Sequence, residues 1–454
     1  MPKKKTALTI EERLQQALVP AEEQPYEVPE NWVWVRLGEV NKYVSKSVNP
    51  ISEPDKIFEL YSVPSMADDY PEIIAGSDIG SSKQSVCKED VLLCKINPRI
   101  NRVWKVSQFT DNELIASSEW IIIRNNHINA NYLMYCFQSK YFREFMLSNV
   151  SGVGGSLMRA QPKYVQTYPI PLPPPSEQQR IVESIEELFA KLDEAKERLQ
   201  EVADSFAVRK AAILHNAFTG ELTKQWRREN GVSDESWEEK KLGEVGFWLG
   251  GGTPSTSREE YWENGNILWI TSKDMKSAVI EDTLMKVNEI GVKNSSANYI
   301  EKPALLVVMR SGILRRTFPV AMVKKPFTVN QDLKAIIPDK DDLEFLYWML
   351  LSNEQRILDT CMKNGTTVES INSNALKDLT FKCPTLPEQH EIVRLIDDLL
   401  ARERSAQQAA EQALASIDLM KKSILARAFR GELGTNKASE ASALELLKQV
   451  LAEN

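Results

Sequence analysis

The chain has 454 residues, which is more than one ordinary hydrophobic core organises and predicts two or more domains. Hydrophobic residues form 42% of it and charged residues 26%, a composition typical of folded globular proteins and not of disordered or membrane-embedded ones. The formal net charge of −8 taken alone argues against a nucleic-acid partner, although the positions of the charges matter more than their sum.

The N-terminus and the cysteines indicate the compartment. The first residues, MPKKKTALTIEERLQ, are basic but contain no apolar stretch of the kind found in a signal peptide. No apolar run approaches the ~20 residues that a membrane-spanning helix requires. Five cysteines form no CxxC pair and three histidines lie far apart, so free thiols are favoured over a structural zinc site. We therefore expect a cytoplasmic protein without a metal site.

The first domain is predicted to be strand-rich. After the amphipathic segment IEERLQQAL (10–18), the apolar runs DVLLCKI (90–96) and EWIIIRN (119–125) predict buried strands. NYLMYCFQSKYFREFM (131–146) predicts a helix. Basic residues outnumber acidic ones between 83 and 105, around the first apolar run. Such a cluster can contact phosphates, and ordinary surface charge is the alternative.

A long helix is predicted next. Prolines between Pro171 and Pro175 hold the chain extended ahead of Ser176, a suitable N-cap, and Gly220 is suited to end the helix. Apolar residues recur with the 4-3 spacing of a coiled coil, with an interruption at Arg209. The predicted seam comprises Ile181, Ile185, Leu188, Leu192, Leu199, Val202, Phe206 and Ile213.

The second domain is predicted to repeat this architecture. ILWITS (267–272) and ALLVVMRS (304–311) predict strands, and LEFLYWMLLSNEQRILD (343–359) predicts a helix. A second basic cluster lies between 302 and 334, where Asp332 is the one acidic residue. In both clusters a run of basic residues begins just after an apolar strand, and this agreement weakens the surface-charge alternative.

A second long helix is predicted after Pro384 and Pro387, and Gly431 is suited to end it. Its seam is thinner, with small residues in the middle. The predicted seam comprises Ile392, Ile396, Leu399, Ala406, Ala410, Ala413, Ile417, Met420 and Ile424. We interpret the two helices as an intramolecular pair in which the alanines accept the bulkier residues of the first helix. A coiled coil that dimerises two chains is the alternative.

The two halves of the chain repeat one another. The matching segments are EQQRIVESIEELFA (177–190) with EQHEIVRLIDDLLA (388–401), ILHNAFTGEL (213–222) with ILARAFRGEL (424–433), and NWVWVRLGEV (31–40) with SWEEKKLGEV (236–245). The first two pairs share an offset of 211 residues, and the third has an offset of 205. Because the same offset holds from one helix block to the next, the spacing within the helical segment is equal in both copies. The chain is therefore predicted to be a tandem duplication with two divergent inserts.

No catalytic constellation is visible in the sequence. It contains no GxxxxGK[ST], no GxGxxG after a strand, and no His or Cys set with metal-ligand spacing. PDKIFELY (54–61) resembles a nuclease carboxylate–lysine pattern, but so short a string is common by chance. We predict no catalytic, cofactor-binding or metal-binding residues.

Two divergent inserts, each followed by prolines, a long helix that begins with EQ and an AFxGEL ending, resemble the specificity subunit of type I restriction-modification systems. GGTPSTSREEYW (251–262), ILWITSKDM (267–275), RSGIL (310–314) and TVNQDLKAIIP (328–338) resemble the target recognition domains of that family. CKINPRINRVW (94–104) resembles another branch of those domains. The resemblance covers nearly the whole chain.

The resemblance implies an α+β fold. Two mixed α/β target recognition domains are expected to be separated by two long antiparallel helices that form an intramolecular coiled coil, in a pseudo-two-fold tandem repeat. The implied limits are 1–30 for an N-terminal helical segment, 31–175 for the first recognition domain, 176–222 for the first spacer helix, 223–386 for a linker and the second recognition domain, 387–433 for the second spacer helix, and 434–454 for a C-terminal helical tail. The two terminal segments are expected to pack together near the end of the second helix.

The resemblance also implies a function. The chain is expected to bind a bipartite, asymmetric double-stranded DNA site, one half per recognition domain, while the helices set the unread gap and bind two methyltransferase subunits. Those subunits would carry S-adenosylmethionine and methylate adenine, and restriction/translocase subunits would join for cleavage. This chain is then expected to be non-catalytic and without a cofactor. A nucleic-acid enzyme with its own active site and a coiled-coil scaffold that binds protein or glycan are the alternatives.

The expected DNA contacts are basic, amide and hydroxyl side chains in and around the two clusters. In the first domain they are Lys83, Lys95, Asn97, Arg99, Asn101, Arg102 and Lys105. In the second they are Thr253, Ser255, Lys273, Arg310, Arg315, Arg316, Asn330 and Gln331. For Asn330 and Gln331, closing a turn is the alternative role.

Overall fold

The computed structural model describes residues 9–152, 158–363 and 368–453. Residues 1–8 and 454, which belong to the two predicted terminal segments, lie outside these ranges. The chain divides into two units. Unit 1 comprises Met1–Leu199 and Gln412–Asn454, and unit 2 comprises Gln200–Glu411. Each unit holds one divergent insert and part of each long helical segment, in agreement with the α+β tandem repeat that the sequence predicts.

The helices and strands are numbered in chain order. The helices are α1 (Ile10–Ala17), α2 (Leu37–Val40), α3 (Ala130–Gln138), α4 (Lys140–Ser148), α5 (Pro162–Val165), α6 (Pro175–Asp204), α7 (Phe206–Phe218), α8 (Lys224–Glu229), α9 (Glu289–Lys293), α10 (Leu343–Ser352), α11 (Glu354–Cys361), α12 (Ser373–Lys377), α13 (Leu386–Ala428) and α14 (Ala443–Ala452). The strands are β1 (Val33–Arg36), β2 (Ser47–Val48), β3 (Ile57–Tyr61), β4 (Glu72–Ala75), β5 (Lys83–Ser85), β6 (Val91–Cys94), β7 (Val103–Lys105), β8 (Glu113–Ala116), β9 (Trp120–Ile123), β10 (Val150–Ser151), β11 (Arg159–Ala160), β12 (Pro169–Leu172), β13 (Glu238–Lys241), β14 (Gly246–Gly250), β15 (Ile267–Ile270), β16 (Met285–Val287), β17 (Ala304–Val308), β18 (Val320–Val323), β19 (Phe327–Val329), β20 (Leu333–Pro338) and β21 (Thr380–Cys383).

In its described residues, the insert of unit 1 contains two sheets of three or more strands. One is five-stranded, in the order β2-β5-β8-β3-β4, and the other is the antiparallel sheet β7-β6-β9. Every residue of β6 is buried, as an apolar run without alternation predicts. The predicted helix over 131–146 divides into α3 and α4 because the chain turns at Ser139, whose N–H donates to the carbonyl of Cys136 at 3.1 Å.

The insert of unit 2 uses the same central motif. Its four-stranded antiparallel sheet has the order β14-β20-β17-β18, and β17, buried at every residue, occupies the place that β6 holds in unit 1. A three-stranded sheet, β16-β15-β19, lies in the same unit. The predicted helix over 343–359 again divides in two, at Asn353. The repeated motif therefore extends into the parts of the sequence that have diverged.

Strand pairing reproduces the two offsets of the sequence repeat. In unit 1, Val33 of β1 pairs with Leu172 of β12. In unit 2, Glu238 of β13 pairs with Cys383 of β21. The first members of these pairs are 205 residues apart and the second members 211, as the sequence comparison found. The tandem duplication is therefore confirmed at the level of backbone hydrogen bonds.

The repeated glutamine of the EQ words has a structural role. Gln178 donates to the carbonyl of Pro173 at 2.9 Å and accepts from the backbone N–H of Asn129 at 2.9 Å. Gln389 makes the same two contacts in unit 2, with Pro384 at 2.9 Å and Asp342 at 2.8 Å. Each glutamine thus joins the start of a long helix to the N-cap of the helix that follows the central sheet.

The ends of the long helices differ in part from the prediction. Helix α6 begins at Pro175, so Ser176 lies inside the first turn and is not the N-cap. The reason is that proline is well tolerated at the first helical position, where no intrahelical N–H is needed. Likewise α13 begins at Leu386 and contains Pro387. Gly220 and Gly431 have φ of 82° and 73°, and they end the helices as predicted.

The first helical segment is interrupted, whereas the second is continuous. Helix α6 ends at Asp204 and α7 begins at Phe206, while α13 runs for 43 residues. The Ser205 hydroxyl donates to the carbonyl of Val202 at 3.1 Å, and such a bond competes with regular helix geometry.

Most residues of the predicted seam are buried or half-buried, but the prediction is wrong for three of them. Ile181 and Ile185 in unit 1, and Ile392 and Ile396 in unit 2, are buried. Three seam residues are exposed instead: Val202, Ala406 and Met420. Val202 lies beside the helix interruption. A strict seven-residue repeat also drifts around a helix of 3.6 residues per turn, so not every seam position stays on the contact face.

The N-terminal and C-terminal helices pack together, as expected. Helices α1 and α14 are in contact, and the Arg13 guanidinium donates to the carbonyl of Leu451 at 2.9 Å. Ala17 and Leu447 belong to the same hydrophobic core as Phe429, at the end of the second helical segment. The tail therefore completes the core of unit 1.

Candidate nucleic-acid interface

Three segments meet at the end of β6 in unit 1. The backbone N–H of Lys95 donates to the carbonyl of Glu119 at 3.0 Å, and the N–H of Ala160 donates to the carbonyl of Lys95 at 2.8 Å. The N–H of Asn97 donates to the carbonyl of Met158 at 2.7 Å. These bonds hold the basic loop after β6 against β11 and against the residue before β9. We name this region site 1: it comprises the loop after β6, the segment 158–160 and Glu119.

Site 1 presents several basic side chains. Arg99 is exposed, and Lys95 and Arg102 are half-buried. The Arg143 guanidinium donates to the carbonyl of Arg99, so α4 adds a further positive charge. Arg159 of β11 pairs with Glu119.

Three of the predicted contacts in the first domain have other positions or partners. Lys83 lies in the five-stranded sheet, donates to the Ser81 hydroxyl at 2.6 Å, and has a pKa lowered by burial. Lys105 is paired across the sheet with Val91, at the opposite end of β6 from site 1. Asn101 donates to the carbonyl of Gln138 at 3.0 Å, and this bond ties the loop to α3.

Unit 2 has the same backbone arrangement at the end of β17, and we name it site 2. The N–H of Met309 donates to the carbonyl of Asp332 at 2.7 Å, and the N–H of Ile371 donates to the carbonyl of Met309 at 2.8 Å. The N–H of Ser311 donates to the carbonyl of Glu369 at 3.0 Å. All three bonds have counterparts in site 1.

An open cleft at site 2 is lined mainly by polar and basic side chains. It has a volume of about 600 Å³ and its lining includes Arg310, Gln331, Lys334, Lys363 and Ser370. The Arg310 guanidinium donates to the Asp332 carboxylate at 2.8 Å. The cleft has the chemistry of a surface that receives phosphates and base edges.

Glycine at one position brings the GGTPS loop to site 2. A Cβ on Gly251 would lie 1.7 Å from the carbonyl oxygen of Val329, so only glycine fits against β19 there. Two residues later, the Thr253 hydroxyl donates to the Gln331 side-chain carbonyl at 2.7 Å. Both of these predicted residues therefore reach the site.

The other predicted residues of the second domain differ in their surroundings. Arg315 pairs with Glu369, whereas Arg316 and Lys273 are exposed. Ser255 contacts the Ser257 hydroxyl at 2.8 Å. Asn330 is buried and closes a turn: its amide oxygen accepts from the backbone N–H of Asp332 at 3.1 Å. Asn330 thus makes the turn-closing contact stated as its alternative role, and its contact with DNA stays a prediction.

Four basic residues at these sites were missed by the sequence prediction. They are Arg143, Arg159, Lys334 and Lys363. Arg159 follows the basic cluster by more than 50 residues, and its counterpart at the offset of 211 is Ser370, so neither local charge nor the repeat marks it. Lys334 lies at the edge of the second basic cluster, so local charge in the sequence marks it.

The nuclease-like pattern at 54–61 has a structural explanation. Glu59 is fully buried, and its carboxylate accepts from the N–H of Thr110 at 2.9 Å and from the Thr110 hydroxyl at 2.8 Å. Lys56 pairs with Glu53 and Glu113 on the surface. Within residues 9–152, 158–363 and 368–453 no group of His, Cys, Asp or Glu side chains is arranged to hold a metal ion. In the same ranges no helix combines the length and apolar character needed to cross a bilayer.

Comparison with known proteins identifies the family. Residues 29–204 and 234–413 match the model of the Type I restriction modification DNA specificity domain. The chain belongs to this family. The specificity domain thus occurs twice, and each match contains one insert and the beginning of one long helical segment.

Relatives within the specificity family match different shares of the chain. The specificity subunit of the type I restriction enzyme EcoR124I/EcoR124II of Escherichia coli is 37% identical over 196 residues, which are 41% of this chain and 48% of that subunit. The match therefore spans about half the length of that relative. The specificity subunit of EcoKI from Escherichia coli strain K12 is 25% identical over 347 residues, 72% of either chain. The crystal structure of the HsdS subunit from Thermoanaerobacter tengcongensis matches with a TM-score of 0.68 at 21% identity, over 90% of this chain and 100% of that chain. That likeness supports the fold assignment.

Proposed function

We propose that this chain is the DNA sequence-specificity subunit of a type I restriction-modification complex. It binds a bipartite, asymmetric double-stranded DNA site, with one half-sequence read by each insert. The observation that carries the proposal is the double match to the specificity domain, combined with a basic site in the same backbone arrangement in each unit. The relatives named above are themselves specificity subunits of type I restriction enzymes.

The distribution of charge supports DNA as the ligand despite the net charge of −8. Acidic residues concentrate on α6, where all except the buried Glu177 face solvent, while basic residues gather at sites 1 and 2. Local positive surfaces govern binding to phosphates, because the interaction depends on released counterions at the contact and not on total charge. The loops of the two sites differ in sequence, as expected for inserts that read different half-sequences.

The domain limits predicted from the sequence belong to this proposal. Residues 31–175 and 223–386 are the recognition domains with their linker, and 176–222 and 387–433 are the spacer helices. The helical segments set the length of the unread gap between the half-sequences. Inserting four residues, about 6 Å of helix, into both segments should change the preferred gap and leave both half-sequences unchanged. An unchanged gap would contradict the spacer role.

The chemistry belongs to partner subunits in this proposal. Two methyltransferase subunits carry S-adenosylmethionine and methylate adenine, which requires that the target base leave the helical stack. Restriction/translocase subunits join for cleavage. The chain itself contributes recognition and acts in the cytoplasm. A nucleic-acid enzyme within this chain and a protein- or glycan-binding scaffold are the alternatives.

The deciding experiment is to map methylated adenines. The chain is produced together with type I methyltransferase subunits from the same genome, in cells that lack other adenine methylation. We expect one two-part motif with a fixed gap, and no methylation when either component is omitted. The purified chain alone should leave DNA chemically unchanged. Catalysis by the chain alone would favour the enzyme alternative, and the absence of any motif from the assembled complex would overturn the proposal.

A further inference from the structure

In each unit a carboxylate directly before a strand of the central sheet holds one arginine. In site 1, Glu119 precedes β9 and accepts from Arg159 Nε at 3.2 Å and from Arg159 Nη2 at 3.1 Å. In site 2, Asp332 precedes β20 and accepts from Arg310 Nε at 2.8 Å. The two acids are structural counterparts, because their carbonyls accept from Lys95 and Met309, the residues that follow β6 and β17.

The two arginines come from different strands of the repeated motif. In site 1 the backbone of Arg159 is bridged to Ile96, and in site 2 the backbone of Arg310 is bridged to Ser370. Ile96 and Arg310 occupy the same place, directly after the residue bonded to the acid. The arginine therefore stands on opposite sides of the backbone bridge in the two sites, whereas the acid occupies the same position in both. The feature common to both sites is an acid-held guanidinium.

The ion pair between the acid and the arginine contributes little to the stability of the fold. The Arg159 side chain is 41% exposed and that of Arg310 is 57% exposed, and ion pairs at this exposure contribute little to folding. What the acid does provide is orientation. The acid accepts from Nε of Arg310 in site 2, and from Nε and one N–H of Nη2 of Arg159 in site 1. In both arginines the parallel N–H donors on the Nη1–Nη2 edge face away from the acid, and no described residue accepts from that edge.

A free guanidinium edge matches one base in the major groove. Guanine presents its O6 and N7 as two adjacent acceptors, and bidentate pairing with arginine is the commonest specific contact to a base. A phosphate is the other natural partner of arginine, but the neighbouring carboxylate repels a phosphate and removes much of the local positive charge. Arg99 and Arg316, whose side chains have no acidic partner among the described residues, suit phosphates better. An acid-held arginine is therefore suited to reading a base edge.

We propose that Arg159 and Arg310 each read a guanine, one in each half of the target sequence, and that Glu119 and Asp332 are positioning residues. The proposal rests on the function proposed above. It predicts that both half-sequences contain a G·C pair whose guanine is contacted in the major groove. It also assigns a specificity role to Arg159, which no pattern in the sequence marks.

The test compares variants of the full chain in complex with its methyltransferase subunits. Methylated adenines are mapped for the wild type, Arg159→Ala and Arg310→Ala. Binding is then measured by competition with duplexes in which each base pair of the wild-type motif is replaced in turn. Arg159→Ala should reduce discrimination at one G·C pair of one half-sequence by roughly 5- to 100-fold and leave the other half-sequence unchanged. Arg310→Ala should do the reverse.

The Glu119→Gln variant separates orientation from a merely structural role. Removing the negative charge should strengthen overall binding to DNA, because one source of phosphate repulsion is lost. It should also weaken discrimination at the same G·C pair that Arg159→Ala affects. Restoring the carboxylate on a shorter side chain, in Glu119→Asp, should recover part of that discrimination. A structural role would change all positions of the half-sequence together.

The controls are Arg36→Ala in unit 1 and Lys241→Ala in unit 2. Both remove a surface partner of an acidic residue, Glu23 and Asp378, and both should retain the complete motif. The unaffected half-sequence in each arginine variant shows that the complex has assembled.

Several results would overturn the guanine assignment. They are a wild-type motif without a G·C pair in one half, full discrimination retained in Arg159→Ala, or an equal loss at every position, as expected for a phosphate contact. Failure of the proposed function looks different, because the wild-type complex would then yield no two-part motif at all.

Discussion

Arg209 of α7 and Glu403 of α13 form an ion pair within unit 2. Arg209 interrupts the apolar seam of the first helical segment, and Glu403 lies on the seam side of the second, between Leu399 and Ala406. The charged residues that interrupt the two apolar seams are therefore in contact with each other. A charge pair inside a helix interface favours the alignment in which both charges are matched, because every shifted alignment leaves one of them against apolar side chains.

The first prediction concerns the coupling between these charges. A double-mutant cycle with Arg209→Ala and Glu403→Ala should give a coupling free energy of about 0.5 to 1 kcal/mol, reduced by partial exposure to solvent. Equilibrium urea unfolding measures it. The matched control is Arg198 with Glu194, a largely exposed pair on α6, which should give about 0.3 kcal/mol. Equal coupling in both cycles would show that the position on the seam is unimportant.

The second prediction concerns a buried ion pair at the start of α13. Arg227 donates to the Glu388 carboxylate at 2.7 Å, and their side chains are 7% and 0% exposed. Arg227→Met should lower the free energy of unfolding of unit 2 by about 3 to 5 kcal/mol, because Glu388 remains buried without a cationic partner. Denaturant unfolding measures the loss. Arg402→Met, which removes an exposed pair with Asp398, should change stability by less than about 0.5 kcal/mol.

The third prediction concerns the C-terminal helix. Leu447 of α14 is fully buried in the core of unit 1, whereas Leu419 of α13 is 65% exposed. Leu447→Ala should destabilise unit 1 by about 2 to 5 kcal/mol, because it leaves a cavity. Leu419→Ala removes the same atoms from a solvated surface and should be nearly neutral. Thermal unfolding of the two variants provides the comparison, and similar shifts in Tm would argue against packing of the tail.

The fourth prediction concerns pH. The Arg180 guanidinium donates to Glu440 at 2.9 and 2.7 Å, and this hydrogen bonding lowers the pKa of the Glu440 carboxyl. A depressed pKa stabilises the folded state above the pKa that the group has when unfolded. That contribution is lost as the pH falls through the lower, folded pKa.

Protection of the tail against proteolysis should therefore decline on acidification below the ordinary glutamate range. The difference between the wild type and Glu440→Gln isolates this pair, since other carboxyls titrate in both proteins. We expect the difference to be largest above the ordinary glutamate pKa and to vanish at lower pH. A difference that does not depend on pH would mean that the ion pair does not hold the tail.

The sequence predicts those parts of the molecule that repeat. The two offsets reappear in the register of β1 with β12 and of β13 with β21. The apolar runs form β6, β9, β15 and β17 because they are short, rich in β-branched residues and bounded by turn residues, which favours strands over buried helices. Gly220 and Gly431 end the helices because their left-handed conformation excludes most other residues.

The features that the sequence does not predict depend on contacts between residues that are far apart along the chain. Arg159 reaches site 1 through a bridge to Ile96, which local charge cannot reveal. Lys105 looked like part of the same cluster as Lys95, but strand pairing puts the two at opposite ends of β6. Spacing along the chain predicted helical periodicity well, yet it could not show that Val202 turns to solvent beside Ser205.

The chain order of the two units affects how the protein emerges from the ribosome. Unit 2 is one uninterrupted stretch, Gln200–Glu411, so all of it is synthesised before the second part of unit 1, Gln412–Asn454, appears. The core of unit 1 includes Phe429 and Leu447, which are translated only after unit 2. Part of the apolar surface of the first insert therefore stays uncovered while unit 2 is synthesised. During that interval unit 1 exposes apolar surface that can aggregate or bind a chaperone.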